Sequence, residues 1–403
     1  TAALIFAARY FQRIALMSIV VQKFGGRLLE SPEKIRCAAR YILQTKTGGE
    51  DPVVVVSAPG RTTDRFIKLA RQITRRPDER ELDMLLSVGE RMAMSLLAMA
   101  INAEDSFRAV SFTGSQVGII TDTRHTDATI IEVKGYRVRE ALACGQIPII
   151  AGFQGISTDK EITTLGRGGS DATAVALAAA LGAARCELIK ECSGIFSADP
   201  LIIPDAAPLP VIDYATLDAI AAAGAKVVQP RAASLARDHK VQLVVRSLDQ
   251  TPQTRVIDYC SAETPIAALT LVKNLCIIKN DDITIDILNG EWVVWFEQNN
   301  RHYIVGRFPA RKQASSAEVI CAVGWGEVVP GQFIRLVEST LDSAGFKRLA
   351  AVGVKNNVVF IVAGRKGVQA LRIIYNAAIE NGWLRKNAEV KTSARTTASI
   401  CGN

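Results

Sequence analysis

The chain has little histidine, with 3 in 403 residues, at positions 125, 239 and 302. Their wide separation argues against a histidine-based metal site. None of the 8 cysteines (37, 144, 186, 192, 260, 276, 321 and 401) falls in a Cys-x-x-Cys spacing. Most sit in apolar runs, so they read as reduced core residues of a cytoplasmic protein rather than a disulfide frame or a zinc site. No apolar run of membrane length is without charge. The opening stretch is apolar but broken by Arg9, Gln12 and Arg13. It is therefore neither a membrane span nor a signal peptide, and residues 1–17 read as an N-terminal extension. The net charge of +8 is spread along the chain. With no dense basic block carrying interleaved aromatics, nucleic acid is disfavoured as a partner, as is a membrane. A basic surface that attracts anionic substrates is the simpler reading.

What is present is globular: 49% apolar and 22% charged residues, in a length that suits about two to three domains. The chain is organised around residues 162–182. A short β-prone run meets the turn Gly166-Arg167-Gly168-Gly169, and Ser170 and Asp171 are suited to cap the alanine-rich helix that follows. Three glycines let backbone N–H groups approach an anion, and the helix N-terminus adds its positive end. Arg167 is the one side chain kept in the turn, and a guanidinium there suits a carboxylate or a phosphate. An ordinary strand-to-helix turn explains the glycines equally well by themselves.

The rest of the chain repeats a β-loop-α pattern. Residues 19–21 form a strand running into Lys23-Phe24-Gly25-Gly26, a second phosphate-cradle candidate, and Ser31-Pro32 opens a helix. Residues 53–56 read as a strand covered on both faces, ending in the hydroxyl-rich loop 57–63. A helix is expected over 64–73 and another over 82–100, with Glu90 in its middle. A carboxylate among apolar residues is costly unless it meets a cation, or else it lies on a solvated face. Strands at 110–112, 118–121, 130–133, 147–151 and 186–189 follow, with helices at 137–144, 214–223 and from 224 to 239. The class is α/β: a three-layer α/β/α sandwich on a mostly parallel sheet, with ligands at the carboxyl ends of the strands. After a polar, proline-bearing stretch near 248–265 the pattern becomes β-rich. Strands at 268–272, 283–288, 292–297, 303–305, 319–323, 349–354 and 358–362, with helices at 332–344 and 368–379, make an α+β ferredoxin-like region. The domains are thus 18–250 and 265–380, with a loosely held tail at 384–403.

With these residues in view, 18–250 resembles the aspartate kinase branch of the amino-acid kinase family, and 265–380 resembles its ACT regulatory domains. Lys23-Phe24-Gly25-Gly26, Ser57 to Thr63, Gly89-Glu90, Gly152-Phe153-Gln154-Gly155, Thr163 to Asp171 and Gly224-Ala225-Lys226 occur in family order. The resemblance implies ATP-dependent phosphorylation of the β-carboxylate of L-aspartate to 4-phospho-L-aspartate, a first step in amino-acid biosynthesis, with Mg2+ bridging the phosphates. It implies that Lys23 stabilises the transferring phosphoryl group, that Lys226 sits on the nucleotide phosphates, and that Asp171 orients the lysines. Arg167 would grip the substrate α-carboxylate and Glu90 its ammonium, while Ser57, Thr63, Phe153 and Ser170 complete the amino-acid pocket. Gly25, Gly26, Gly168, Gly169, Lys190, Glu191 and Phe196 would surround the nucleotide. An amino-acid effector and a homodimer formed through the ACT region are also implied.

This chain departs from the family pattern at the nucleotide side. Arg27-Leu28 replaces the usual Thr-Ser, and Lys190-Glu191-Cys192-Ser193-Gly194-Ile195-Phe196 stands where Thr-Asp-Val-Asp-Gly-Val/Ile-Tyr is usual. The first ACT unit is short between 278 and 292, without room for its usual helix. Two other readings stay open: a degenerate paralogue that binds an amino acid and acts as a regulatory or partner subunit, and a related kinase with a different acidic amino acid as substrate.

Overall fold

The computed structural model describes residues 18–225, 227–249, 251–260, 264–279, 294–298, 301–306, 315–325, 329–346, 348–354 and 357–387. They form two compact units. Within the described residues, the first holds 18–194 and Arg231–Val256, and the second Ile195–Pro230 and 257–387.

In chain order the strands up to the polar stretch are β1 (Ile19–Phe24), β2 (Asp51–Val56), β3 (Ala109–Phe112), β4 (Ile119–Thr121), β5 (Ile130–Val133), β6 (Ile147–Ala151), β7 (Gln154–Ser157), β8 (Ile162–Thr164), β9 (Arg185–Ile189), β10 (Val211–Asp213), β11 (Leu243–Arg246) and β12 (Thr254–Ile257). All but β10 belong to the first unit, whose main sheet runs β12-β11-β9-β1-β2-β6-β3. Its pairs are parallel except β11 with β12. Val53, Val54, Val55 and Val56 are fully buried, as a strand with helices on both faces requires. Phe24, Val54, Val56, Ile149 and Ile189 pack with the helices Pro32–Thr47 and Val88–Asn102 on one face. On the other face the helix Gly169–Leu181 lies almost wholly buried, its alanines allowing close approach to β1. A smaller sheet, β5-β4-β7-β8, stands beside it.

Local sequence signals account for most helix ends. The Ser31 side chain accepts from Lys34 N at 3.3 Å and Pro32 takes the first helical position. Three expectations need correction. The helix expected over 82–100 is two helices, Glu79–Leu86 and Val88–Asn102, divided at Ser87, whose hydroxyl turns back to Met84 O at 2.9 Å. A serine that bonds to its own backbone competes with the helix. Glu90 therefore lies in a first turn, not mid-helix. By length and composition Glu79–Asn102 could cross a membrane, but half of its apolar window is buried inside the protein. The helix of the organising stretch is not capped by Ser170 or Asp171: its N-cap is Gly168 at φ 75°, a left-handed conformation that suits glycine. The helix expected from 224 to 239 runs Pro230–Asp238, with proline at its first position, while Gly224 at φ 86° follows the end of Tyr214–Ala222.

Cys144, Cys186, Cys192, Cys276 and Cys321 are thiols, as read from the sequence.

The second unit carries β13 (Ile266–Lys279), β14 (Val294–Gln298), β15 (Arg301–Gly306), β16 (Ser315–Gly324), β17 (Arg348–Val354) and β18 (Asn357–Ala363). They form an antiparallel sheet, β14-β15-β13-β16-β18-β17. The helices Gly331–Ser343 and Gly367–Glu380 press Phe333, Val337, Leu341, Leu371 and Ile374 into its core. The order β16-helix-β17-β18-helix is the expected ferredoxin-like unit. Residues 195–230 pack with this unit: Ser197 Oγ lies 3.0 Å from Tyr375 Oη, and Asn357 Nδ2 donates to Ala219 O at 3.1 Å. The strand expected at 283–288, the short segment 280–292 and the turn at 355–356 lie outside the described residues.

Candidate phosphate and amino-acid site

Parallel register sets the site. Lys23 of β1 stands opposite Val55 of β2 and Leu188 of β9, and Val56 of β2 opposite Ala151 of β6. The loops that begin at Gly25, Ser57, Gly152 and Lys190 therefore leave the sheet side by side at its carboxyl edge. Gly25 N donates to Ile189 O at 3.0 Å, and Gly60 N to Gly26 O at 2.9 Å. A Cβ on Gly26 would come within 2.2 Å of Ala58 O, so glycine is required there.

Lys23, on the face opposite Phe24, is buried and its Nζ lies 2.6 Å from Asp171 Oδ1. Lys190 Nζ lies 2.9 Å from Asp171 Oδ2. One buried carboxylate thus holds two ammonium groups. Burial alone would raise Asp171, but Lys190 and Lys23 outweigh it and hold the carboxyl at about 2. Burial lowers Lys23 from the ordinary lysine range, Lys190 pushes the same way, and Asp171 opposes both.

Glu90 is 3% exposed. Its Oε1 accepts from Ala58 N at 2.9 Å, which ties it to the loop that begins at Ser57, and its Oε2 meets no donor among the described residues. Burial pushes it up to about 7, against the pull of the Ala58 and Glu90 backbone N–H groups and of Lys23. A buried carboxylate with one unmatched oxygen is suited to a cationic ligand group. Ser57 is half-buried at the end of β2 and Thr63 lies in the first turn of the helix Thr62–Ile73.

Phe153 has φ 69°, unusual for a bulky residue, and its N–H donates to Thr173 Oγ1 at 3.1 Å. Glycine at 169 lets the turn close on it: a Cβ there would lie 2.9 Å from Phe153 Cδ2 and 2.8 Å from Leu165 Cβ. Ser170 is buried, and a Cβ on Gly152 would lie 2.9 Å from the Ser170 Cβ. Arg167, at the crest of the turn, is exposed.

The structure therefore gathers Lys23, Gly25, Gly26, Ser57, Glu90, Phe153, Gly168, Gly169, Ser170, Asp171 and Lys190 on one unit. Glu191, expected beside the nucleotide, pairs with Arg27 at 2.9 Å. Phe196 falls in the second unit, bridged to Pro208 and packed on that unit's core. Lys226 lies outside the described residues.

Two buried carboxylates escaped the sequence reading. Asp83, fully buried, accepts from Thr126 N at 3.0 Å, meets His125 Nδ1 at 2.8 Å and accepts from Thr164 Oγ1. Arg231 donates to Leu165 O at 2.7 Å and pairs with Asp127 at 3.0 Å. Together they fix the base of the turn that bears Arg167. Glu187, 1% exposed, lies on the sheet face opposite Lys23 and binds Arg246 at 3.0 Å, Arg185 at 2.9 Å and Gln22 at 3.0 Å. The signal available for both was an acid inside an apolar segment, the signal that flagged Glu90.

A parallel α/β sheet with glycine turns at its carboxyl edge, and two lysines on one buried carboxylate, are features that suit an anionic ligand such as a phosphate. Residues 18–247 match the amino acid kinase family, and the chain belongs to that family. The chain is 51% identical over 232 residues to a Mycolicibacterium smegmatis protein named aspartokinase, covering 57% of this chain and 55% of the relative. It is 47% identical over 231 residues to the Geobacillus stearothermophilus aspartokinase, covering 57% and 56%. These matches span little more than half the length of the relatives. Among solved structures, aspartokinase III of E. coli in complex with aspartate and ADP superposes with a TM-score of 0.72 at 19% identity, over 90% of this chain and 100% of that one, a likeness of fold. Aspartate kinase from Synechocystis superposes with a TM-score of 0.55 at 30% identity, over 89% and 69%.

Proposed function

We propose that the protein transfers a phosphoryl group from ATP to the β-carboxylate of L-aspartate. The observation that carries this reading is one buried sheet edge that holds both the Lys23–Asp171–Lys190 group and Glu90 with its unmatched oxygen. The relatives' printed names support the same reading. ATP supplies the phosphoryl group. Lys23 places positive charge where negative charge spreads in transfer, and Lys190 adds to it. Asp171 is a positioning residue that fixes both ammonium groups. Glu90 takes the substrate ammonium, and Arg167 closes over its α-carboxylate from the exposed crest of the turn. Among the described residues no three His, Cys, Asp or Glu side chains gather to hold a metal. Asp171 is occupied by lysines and Glu191 by Arg27, so a Mg2+ ion would be held chiefly by the nucleotide phosphates.

The same reading carries a homodimer formed through residues 265–380 and control by an amino-acid effector, which the ferredoxin-like architecture of the second unit supports. A second reading, amino-acid binding without efficient turnover, is favoured by the closed Arg27–Glu191 pair on the phosphate side.

The test is hydroxylamine trapping of an acyl phosphate, with L-aspartate, L-glutamate and N-acetyl-L-glutamate offered separately with ATP. Trapping with aspartate is expected. Trapping only with another acid selects the different-substrate kinase. Aspartate binding with no product at millimolar ATP selects the non-catalytic paralogue.

A further inference from the structure

We propose that Arg27 is a nucleotide-phosphate ligand held in reserve by Glu191, so that Glu191 is an internal competitor of the phosphate. This rests on the reading of the site as nucleotide-binding. The residue is launched from a turn that cannot move freely. Gly25 is tied to Ile189 O at 3.0 Å, and Gly26 is pressed against Ala58 and receives the Gly60 N–H at 2.9 Å. The chain at Arg27 is thus fixed between the loops after β2 and β9. Arg27 Nη1 lies 2.9 Å from Glu191 Oε2. Glu191 directly follows Lys190, whose ammonium shares Asp171 with Lys23. The pair therefore ties the guanidinium to the residue next in the chain to one of the two lysines on Asp171.

Four charges close on one another here. Lys34 Nζ binds Glu30 Oε1 at 2.6 Å and Arg27 O at 3.0 Å, and lies 4.0 Å from Glu191 Oε1. Two cations and two anions cancel where the turn after β1 meets the loop after β9. The Arg27–Glu191 pair is the weak link. Its side chains are 72% and 45% exposed, and exposed ion pairs contribute little. A phosphate offers a guanidinium shorter, stronger charge-assisted bonds than a hydrated surface carboxylate does. Arg27 is thereby exchanged from Glu191 to phosphate at small cost, and the carboxylate sets the threshold of phosphate affinity. The plain alternative is a surface ion pair of no consequence, and it makes a different prediction.

The experiment is equilibrium binding of ATP, ADP and AMP to the full chain and to Glu191→Gln, Arg27→Gln and the double variant, with Glu132→Gln, exposed on β5, as a control for net charge. Glu191→Gln should tighten ATP by about threefold to fivefold, with less effect on ADP and least on AMP. Arg27→Gln should weaken ATP by about tenfold, and in the double variant the gain from Glu191→Gln should vanish. The proposal is overturned if Glu191→Gln leaves ATP affinity unchanged or weakens it, if its gain persists without Arg27, or if Glu132→Gln gives the same gain. Binding is the readout, so the two readings fail separately. Absence of aspartate phosphorylation with these shifts intact removes the kinase alone. Turnover with an unmoved ATP affinity removes this inference alone. No ATP binding by any variant removes both.

Discussion

Glu90 and Asp171 are both carboxylates buried at the same sheet edge, 3% and 2% exposed, yet their surroundings differ in kind. Asp171 meets two ammonium groups and is held at about 2. Glu90 accepts from the Ala58 N–H with one oxygen, keeps the other unmatched and is pushed up by burial to about 7. The protein satisfies the first carboxylate itself, which makes it a device for placing lysines. The second keeps an oxygen that no described donor meets, which is why we propose it for the substrate ammonium. The same contrast runs outward. On the proposed phosphate side Arg27, Glu191, Lys34 and Glu30 close into pairs, whereas Glu90, on the proposed amino-acid side, keeps its second oxygen unmatched. On the proposed function a ligand would meet an open group on one side and would displace contacts on the other.

Lys23→Met should break the phosphate side most deeply. It removes a cation that would stabilise the transferring group and leaves Asp171 with Lys190 alone. A fall in kcat of about 10²–10³ is expected, the scale for losing one transition-state donor, measured by acyl-phosphate trapping at saturating ATP. A kcat within a few-fold of the parent would show that Lys190 alone suffices. Arg167→Ala acts on the amino-acid side. Truncating a buried charge-assisted partner costs about 2–5 kcal/mol. Arg167 is exposed, so the lower end applies, about 2 kcal/mol or roughly a 30-fold rise in the aspartate KM, with ATP affinity nearly unchanged. An unmoved aspartate KM would take Arg167 out of the amino-acid side.

Much of this contrast was legible beforehand. The glycine turns, Lys23, Glu90 and Asp171 announce themselves because each breaks a local rule: a missing Cβ, or a charge inside an apolar element. Strand positions followed from β-branched runs such as 53–56, which burial on both faces demands. The partners were not legible. Lys190 joins Lys23 on Asp171 only because β9 lies beside β1, a neighbour relation across 165 residues of chain from Gln22 to Glu187. Arg27 and Glu191 looked like two separate departures, and their pairing depends on the same adjacency. The helix break at Ser87 and the start at Gly168 were missed because serine and glycine each suit more than one role near a helix end. Asp83 was passed over among Leu82, Leu85 and Leu86, although its burial called for the same question asked of Glu90.

A change of pH probes the open carboxylate directly. Burial raises Glu90 from its ordinary 4.5 to about 7, so the folded chain binds its proton more tightly than the unfolded chain. Ionising it costs stability, which falls as pH rises from about 4.5 to about 7, by on the order of 3 kcal/mol in all. For the substrate the sign is reversed. Below about 7 the neutral acid offers an ammonium group no opposite charge, and above it the carboxylate does. The kcat/KM for aspartate should therefore rise with pH from 6 to 8, approaching tenfold per pH unit on its acid limb, and should report Glu90 in the unliganded enzyme. Glu90→Gln keeps the shape, removes the titration and should flatten that limb, with a raised aspartate KM at pH 8 and a higher melting temperature there. The two changes in opposite directions are what a ligand-directed carboxylate requires, since the protein gains stability from losing a charge it does not itself satisfy. An acid limb that survives unchanged in Glu90→Gln, or a melting temperature that falls at pH 8, would mean that Glu90 is satisfied within the fold, as Asp171 is, and that the substrate ammonium is held elsewhere.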